Sequence, residues 1–183
     1  MSSRTRATID DLYRVPENGK AELVKEEIVL MAPTGGVPGR AGGEIYISLR
    51  DYERRTGRGY AFPGNVGFVV DLPHRGSFSP DAAFHPGPLQ GGRFMEGASI
   101  FAAEVRSEGD YGERAEREIA EKRADYFAAG TLVVWDVDVL RERVVRVYRA
   151  AEPDRQTVYR SGDVAEAEPA LPGWSMLVDD LLP

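Results

Sequence analysis

At 183 residues, with 42% hydrophobic and 29% charged side chains, the chain has the size and make-up of one globular domain, expected to span residues 1–183 and to hide roughly 70% of its unfolded surface. The absence of cysteine and the presence of only two histidines, His74 and His85, exclude disulfides and thiolate zinc sites and leave a histidine-built zinc site short of ligands. A net charge of -7 argues against non-specific coating of nucleic acid, which draws its free energy from Lys and Arg displacing counterions, but it suits a carboxylate site awaiting a divalent cation.

Met1 to Arg6 carries two arginines with no apolar run behind them, so no secretory leader is expected there. No segment approaches the roughly 18 apolar residues of a membrane helix, and the expected location is the cytoplasm. Thr8 to Tyr13 predicts a short helix with Thr8 as N-cap and acids in its first turn, stopped near Pro16. Glu22 to Val24 and Ile28 to Met31 read as the strands of a hairpin around the polar Lys25-Glu26-Glu27. Pro33 to Gly43, rich in Gly and Pro, reads as a loop. The first long helix is expected from about Arg40 to Arg55, where Ala41, Ile45, Leu49 and Tyr52 recur at helical spacing. Arg50, Arg54, Arg55 and Arg58 near its end read first as a solvated helix terminus and second as a docking patch for phosphates.

Strand signals follow over residues 60–62, 66–70, 81–84 and 99–105, separated by Gly and Pro turns. A second long helix comes next, for which Asp110 is the expected cap and Glu113 its capping-box partner, ending at Gly130. Thr131 to Val137 and Val144 to Tyr148 predict another hairpin, and Leu171, Trp174 and residues 177–182 are expected to close over the core. This order gives an α/β (α+β) domain with a central sheet. Val66 to Val70 and Thr131 to Trp135 are nearly continuous apolar runs, expected to be covered on both faces.

One residue stands out against the basic composition. Beyond Lys25 the chain has seventeen arginines and a single lysine, Lys122. It lies on the stripe Ala115, Ile119, Lys122, Tyr126 and Ala129, while Glu113, Arg114, Glu116, Arg117, Glu121 and Arg123 occupy the other sides, so it is expected to face the sheet. A lysine in that position must meet a carboxylate or reach past the apolar layer. Asp81, behind Pro80, is expected at a strand start or edge, and Glu104, after four small or apolar residues, at the end of a buried strand. If those strands are neighbours the two carboxylates converge, and a divalent cation relieves their repulsion. Oxygen ligands without Cys favour Mg2+ or Mn2+ over zinc. Such a kit suits phosphodiester hydrolysis: the cation polarises a phosphoryl oxygen and lowers the pKa of a water, while Lys122 orients that water or neutralises developing charge. An ammonium is a compact, tunable charge, where a guanidinium is a wide fork that stays protonated.

Each residue also has an ordinary reading when taken singly. Asp81 serves as a turn acid, Glu104 as half of a structural ion pair, and Lys122 as a side chain snorkelling along the sheet. Tyr126, Phe127 and Trp135 read as core, His85 as a loop residue, and Asp136 with Asp138 as a strand end leading into a turn.

In its motifs the chain resembles the PD-(D/E)xK nuclease superfamily and, within it, the Uma-two restriction-endonuclease-like family. The resemblance is carried by Thr8-Ile9-Asp10-Asp11-Leu12, Pro16-Glu17, Glu22-Leu23-Val24, Glu27 to Pro33, Ser79-Pro80-Asp81, Glu104-Val105 with Ser107, Lys122 to Tyr126, Gly130 and Trp135-Asp136-Val137-Asp138. Pro80-Asp81 stands at the motif's first carboxylate and Glu104 at its second. The superfamily lysine lies two residues after the second acid, where this chain has Arg106. Resemblance to the Uma-two type implies a lysine from the following helix, where Lys122 stands, and leaves Arg106 as a candidate phosphate contact.

The same resemblance implies a restriction-endonuclease-like fold, a central mixed sheet flanked by helices. It implies Mg2+ or Mn2+ held by Asp81 and Glu104, hydrolysis of DNA, and a homodimer or higher homo-oligomer. It also implies an additional acid from the N-terminal part, with Glu22 as first candidate and Glu44 as second. The expectation is therefore a Mg-dependent endodeoxyribonuclease with Asp81, Glu104 and Lys122 as its catalytic residues. The alternative is a catalytically degenerate nuclease fold acting as a nucleic-acid or protein binding module, which Arg106 and the acidic surface favour.

Overall fold

The computed structural model describes residues 6–16 and 19–183; the expectations for Met1 to Thr5 and for Glu17 lie outside them. Helix α1 (Ile9–Leu12) is closed at its start as the sequence predicts, with Thr8 Oγ1 accepting from Asp11 N while the Asp11 carboxylate accepts from Thr8 N at 2.9 Å. Thr8→Ala should lower the urea midpoint by an amount equivalent to about 1 kcal/mol, and an unmoved midpoint would mean that this helix start adds nothing to stability. Strands β1 (Lys20–Val24) and β2 (Glu27–Met31) form the expected antiparallel hairpin, Lys25 and Glu26 taking the left-handed conformations (φ 50° and 60°) of its two-residue turn.

Helix α2 (Gly36–Thr56) starts at Gly36 rather than Arg40, inside the segment that reads as a loop. Pro38 lies in its first turn, where a backbone N–H has no helical partner to lose. Gly42 sets α2 beside Asp81, where a Cβ would stand in ordinary contact with the Asp81 Cβ and carbonyl oxygen at 3.6 Å. The remaining elements are β3 (Tyr60–Pro63), β4 (Phe68–Leu72), β5 (Arg75–Phe78), β6 (Ala82–His85), β7 (Met95–Glu96), β8 (Phe101–Val105), α3 (Glu113–Ala128), β9 (Val133–Asp138), β10 (Val144–Arg149), β11 (Glu152–Tyr159), β12 (Val164–Glu166) and β13 (Ser175–Leu177), with a 3-10 turn at Val178–Leu181.

These strands build a six-stranded sheet in the order β11-β10-β9-β8-β6-β3, a five-stranded sheet in the order β2-β1-β5-β4-β7, and a β12-β13 ladder. The larger sheet is mixed: β8 and β9 run parallel, with α3 as their crossover, and its other pairs are antiparallel. Side chains alternate across each strand, so its two faces do different work. One face carries Phe84, Phe101, Trp135 and Val147 into a core closed by Ile45, Leu49 and Tyr52 of α2 and by Leu171, Trp174 and Leu181 of the tail. The other face, through Ala83, Ala102 and Val134, packs with Tyr126 of α3 against Phe68, Phe78 and Met95 of the smaller sheet. The fold is thus α+β, a mixed central sheet flanked by helices, as expected.

Several sequence expectations need correction. β5, β7, β11, β12 and β13 carry no clear strand signal and were not predicted. The Val66–Val70 run is not a central strand: β4 begins at Phe68 and lies in the smaller sheet, where only Phe68 is fully buried. Asp110 does not cap α3. Gly112 does, at φ 93°, a conformation open to glycine, while the Asp110 carboxylate accepts from Ser107 N at 2.6 Å and closes the preceding turn. Among the described residues, no helix is long and apolar enough to cross a membrane.

Candidate active site

Ser79-Pro80-Asp81 links β5 of the smaller sheet to β6 of the larger one. β6 pairs antiparallel with β8 in the register that sets Ala82 opposite Ala103, and Asp81 N donates to the Ala103 carbonyl at 3.0 Å. Asp81 and Glu104 therefore face each other at the ends of neighbouring strands, on the side of the sheet that α3 covers. The predicted stripe of α3 does face inward, and Lys122 Nζ lies 2.9 Å from Glu104 Oε1 and 2.9 Å from Glu22 Oε1. Of the two expectations for Lys122, to meet a carboxylate or to reach past the apolar layer, the first is the one found, and it has two such partners.

Glu22 is 3% exposed, and its desolvation is compensated on both oxygens. Oε1 also accepts from Ser79 N at 2.9 Å, and Oε2 from Arg75 Nη1 at 2.7 Å. Arg75 continues the chain of charge: its Nε donates to Asp125 Oδ2 at 2.7 Å, and Asp125 Oδ1 meets His74 Nε2 at 2.6 Å. On the other side Asp81 Oδ1 accepts from Lys20 Nζ at 2.9 Å and Oδ2 from Val105 N at 2.8 Å. Tyr126, stacked on Phe78 in the core, donates its hydroxyl to Glu104 Oε1 at 2.5 Å. Above the group opens a cleft of about 460 Å³, with Lys20, Asp81, Glu104, Arg106, Lys122 and Asp136 in its lining.

The electrostatics separate the two glutamates. Burial pushes the Glu22 carboxyl up, but Lys122 and Arg75 outweigh it and hold the group below the usual glutamate range. At Glu104 burial wins: Lys122 opposes it, yet the charges of Asp81 and Glu22 add to the rise and the carboxyl stays above that range. Burial alone would depress Lys122, but Glu104 and Glu22 raise it above the normal lysine value, so it is a cation in this arrangement. Burial, then the Glu104 charge, lifts the Tyr126 phenol well above its normal range, so it serves as a donor.

The geometry thus brings together Asp81, Glu104, Lys122 and Glu22 and leaves Glu44 aside. Glu44 pairs with Arg40 along α2 at 3.1 Å and does not line the cleft. Arg106 borders the cleft, but its guanidinium bonds Asp136 through Nε and Nη2 at 2.7 Å each, reaches the Asp110 carbonyl, and pairs with Glu116. Contact with a phosphate would require it to let go of Glu116, the most exposed of these partners. Asp136 is thereby a brace for Arg106, and Asp138 caps the turn after β9, accepting from Leu140 N and Arg141 N. Sequence reasoning missed Lys20, Arg75 and the hydroxyl role of Tyr126. Tyr126 had a signal, its place one turn beyond Lys122 on the same stripe; Lys20 and Arg75 had none, because their partners are distant in sequence.

The sequence matches the Uma2 family, described as "Putative restriction endonuclease", over residues 8–179. No curated protein matches it. Among solved structures the chain is similar to the crystal structure of a putative nuclease belonging to DUF820 from Anabaena variabilis ATCC 29413, with 17% sequence identity, a TM-score of 0.74, and coverage of 95% of this chain and 96% of that one. At that identity the likeness speaks for the fold. The family match is made on the sequence itself and takes in both sheets, the crossover helix and every residue of the carboxylate and lysine cluster: the chain belongs to the Uma2 family of putative restriction endonucleases.

Proposed function

We propose that the protein is a divalent-metal-dependent nuclease that hydrolyses phosphodiester bonds, with DNA as the substrate. In this reading Asp81 and Glu104 hold the cation and Lys122 stabilises the reacting phosphate. The observation that carries it is Lys122 Nζ at 2.9 Å from Glu104, with Asp81 across from Glu104 on the paired strand, beneath a cleft open to solvent.

The donor set suits a small hard cation. Among the described residues no group of three or more His, Cys, Asp or Glu side chains could enclose a metal ion. Two carboxylates on adjacent strands match the habit of Mg2+, which keeps most of its waters and takes one or two protein carboxylates. When bound, such a cation would polarise a phosphoryl oxygen and lower the pKa of a water. Glu104 sits in β8, and Asp81, just before β6, is tied to the same strand by its N–H to the Ala103 carbonyl and by its carboxylate to Val105 N. Lys122, gripped by Glu22 and Glu104, keeps its charge aimed at the place where negative charge grows on the phosphate. Glu22 then acts through Lys122, since Arg75 and Ser79 already occupy its oxygens. One observation favours the binding-module alternative, the ammonium of Lys20 on Asp81.

Calorimetry with Mn2+ on the native chain and on Asp81→Asn, paired with plasmid cleavage in Mg2+ and Mn2+, separates the readings. The native chain is expected to bind and cut, and Asp81→Asn to lose over about 100-fold in affinity, beyond the roughly 10–100-fold that even outer partners of a metal ligand contribute. Unchanged Mn2+ heat in Asp81→Asn would strike that residue from the site, and a native chain inert in both assays would leave the binding module.

A further inference from the structure

We propose that Lys20 is a second substrate-contacting cation of this site beside Lys122, an ammonium that holds Asp81 until a divalent cation arrives and then moves to the phosphate being cut. The idea rests on the nuclease reading above and adds to it a residue and a motion.

The argument begins with charge balance. Within the cluster the carboxylates of Glu22, Asp81, Glu104 and Asp125 are met by Lys20, Lys122 and Arg75. A divalent cation entering between Asp81 and Glu104 competes for the Asp81 oxygen that Lys20 holds, and the like charges of the two cations repel, so the resident cation at that oxygen must withdraw. Lys122 is held by two acids at 2.9 Å each, and Arg75 by Glu22 and Asp125 at 2.7 Å each. Among the described residues Lys20 is within ion-pair distance of Asp81 alone, at 2.9 Å, and its charge acts on Glu104 from farther away. It is the weakest-held charge, and it is bound to a proposed ligand of the metal.

Position points the same way. Lys20 lines the cleft over Glu104 and Lys122 and also a second groove of about 260 Å³, beside Gly39, Gly43 and Asn65, and Asp81 borders both. Its four-carbon stem is flexible, and both the cleft and the groove lie beside the ammonium as space it could enter on leaving Asp81. A phosphodiester in the cleft is the anion that would receive it. Residue type agrees as well. The chain has twenty arginines and three lysines, and two of those lysines, Lys20 and Lys122, belong to this one cluster. A guanidinium at position 20 would clamp Asp81 with two parallel hydrogen bonds and resist displacement, whereas an ammonium lets go.

The test uses the full chain, Mn2+ calorimetry, and steady-state cleavage of an oligonucleotide duplex at saturating Mn2+. Lys20→Met should bind Mn2+ about two- to fivefold more tightly, the range in which partly exposed ion pairs compete, and should show a KM raised by a similar factor. Lys20→Arg should bind Mn2+ more weakly than the native chain. Opposite signs in the two variants are a signature that a merely structural role would not give. Should Lys20→Met fail to melt cooperatively, Lys20→Gln carries the same expectations. Mn2+ affinity unchanged or lowered by removal of the ammonium, in a native chain that binds and cuts, would overturn this inference and leave the nuclease reading standing. A native chain that neither binds Mn2+ nor cuts would overturn both.

Discussion

Lys122→Met is expected to slow cleavage by about 100- to 1000-fold, the loss that follows removal of one preorganised charge from a reacting centre. It should also cost about 3–5 kcal/mol of stability, because it strips the shared partner from the buried Glu22 carboxylate and the half-buried Glu104 carboxylate. Methionine keeps the length and most of the volume of the lysine stem, so the loss reports the charge rather than the packing. The destabilisation should depend on pH in a definite direction. Burial already raises the Glu104 carboxyl against the pull of Lys122; without Lys122 it rises further, and the folded variant then binds a proton more readily than the unfolded chain. Stability gained by that proton is present at low pH and is lost as pH climbs through the raised value. Melting curves of the variant should therefore lie closer to the native ones in mildly acid than in mildly alkaline buffer. Cleavage at native speed would dismiss Lys122 from the chemistry, and a pH-independent deficit would dismiss its electrostatic role.

Arg75→Met is expected to match Lys122→Met in its cost to stability while having the smaller effect on the chemistry. The guanidinium is 8% exposed, lies 4.9 Å from the centre of the Phe78 ring, and joins Glu22 to Asp125. Its removal leaves Asp125 with His74 and Glu22 with Lys122 and Ser79, at a cost of about 3–5 kcal/mol, or a melting point lower by about 10 °C for a chain of this size. Adding Glu22→Gln to the same chain should restore part of the loss, since one of the two stranded charges is then gone, and the shortfall from additivity measures the coupling. Cleavage, assayed well below the melting point, should fall less than in Lys122→Met, because Arg75 reaches Lys122 only through Glu22. A melting shift under about 2 °C would mean that water or another group takes over the guanidinium's contacts.

The parts of the site that were legible in the sequence are those written in local periodicity. The α3 stripe fixes which way Lys122 points because five residues over four turns agree on one face. The strand ends at Asp81 and Glu104 follow from Pro80 and from the apolar run 100–103, and the capping box at Thr8 is written within four residues. What was hidden depends on partners far along the chain. β5 reads Arg-Gly-Ser-Phe, with no alternation to betray it, and it is a strand because β1 and β4 pair with it. β11 is largely exposed and polar, and its ladder with β10 holds it in place. Lys20 pairs with Asp81 across sixty-one residues and Arg75 with Glu22 across fifty-three, so neither contact leaves a trace at short range. The start of α2 was misread for the opposite reason: its glycines and Pro38 look like a loop, yet they permit a helix to lie against Asp81.

The crossover from β8 through α3 to β9 has a consequence for how such a chain can drift over time. Glu104 is fixed by strand register, while Lys122 is fixed by winding, some three turns down a helix whose buried Asp125 and Tyr126 lie one turn beyond it. Every residue added to or deleted from a helix turns all that follows by about 100°. A point substitution on the outer faces of α3 leaves the ammonium where it is, but a length change between Ile119 and Tyr126 would carry it away from both acids at once. The helix is a ruler: it tolerates almost any spelling on its wet side and no change in its count.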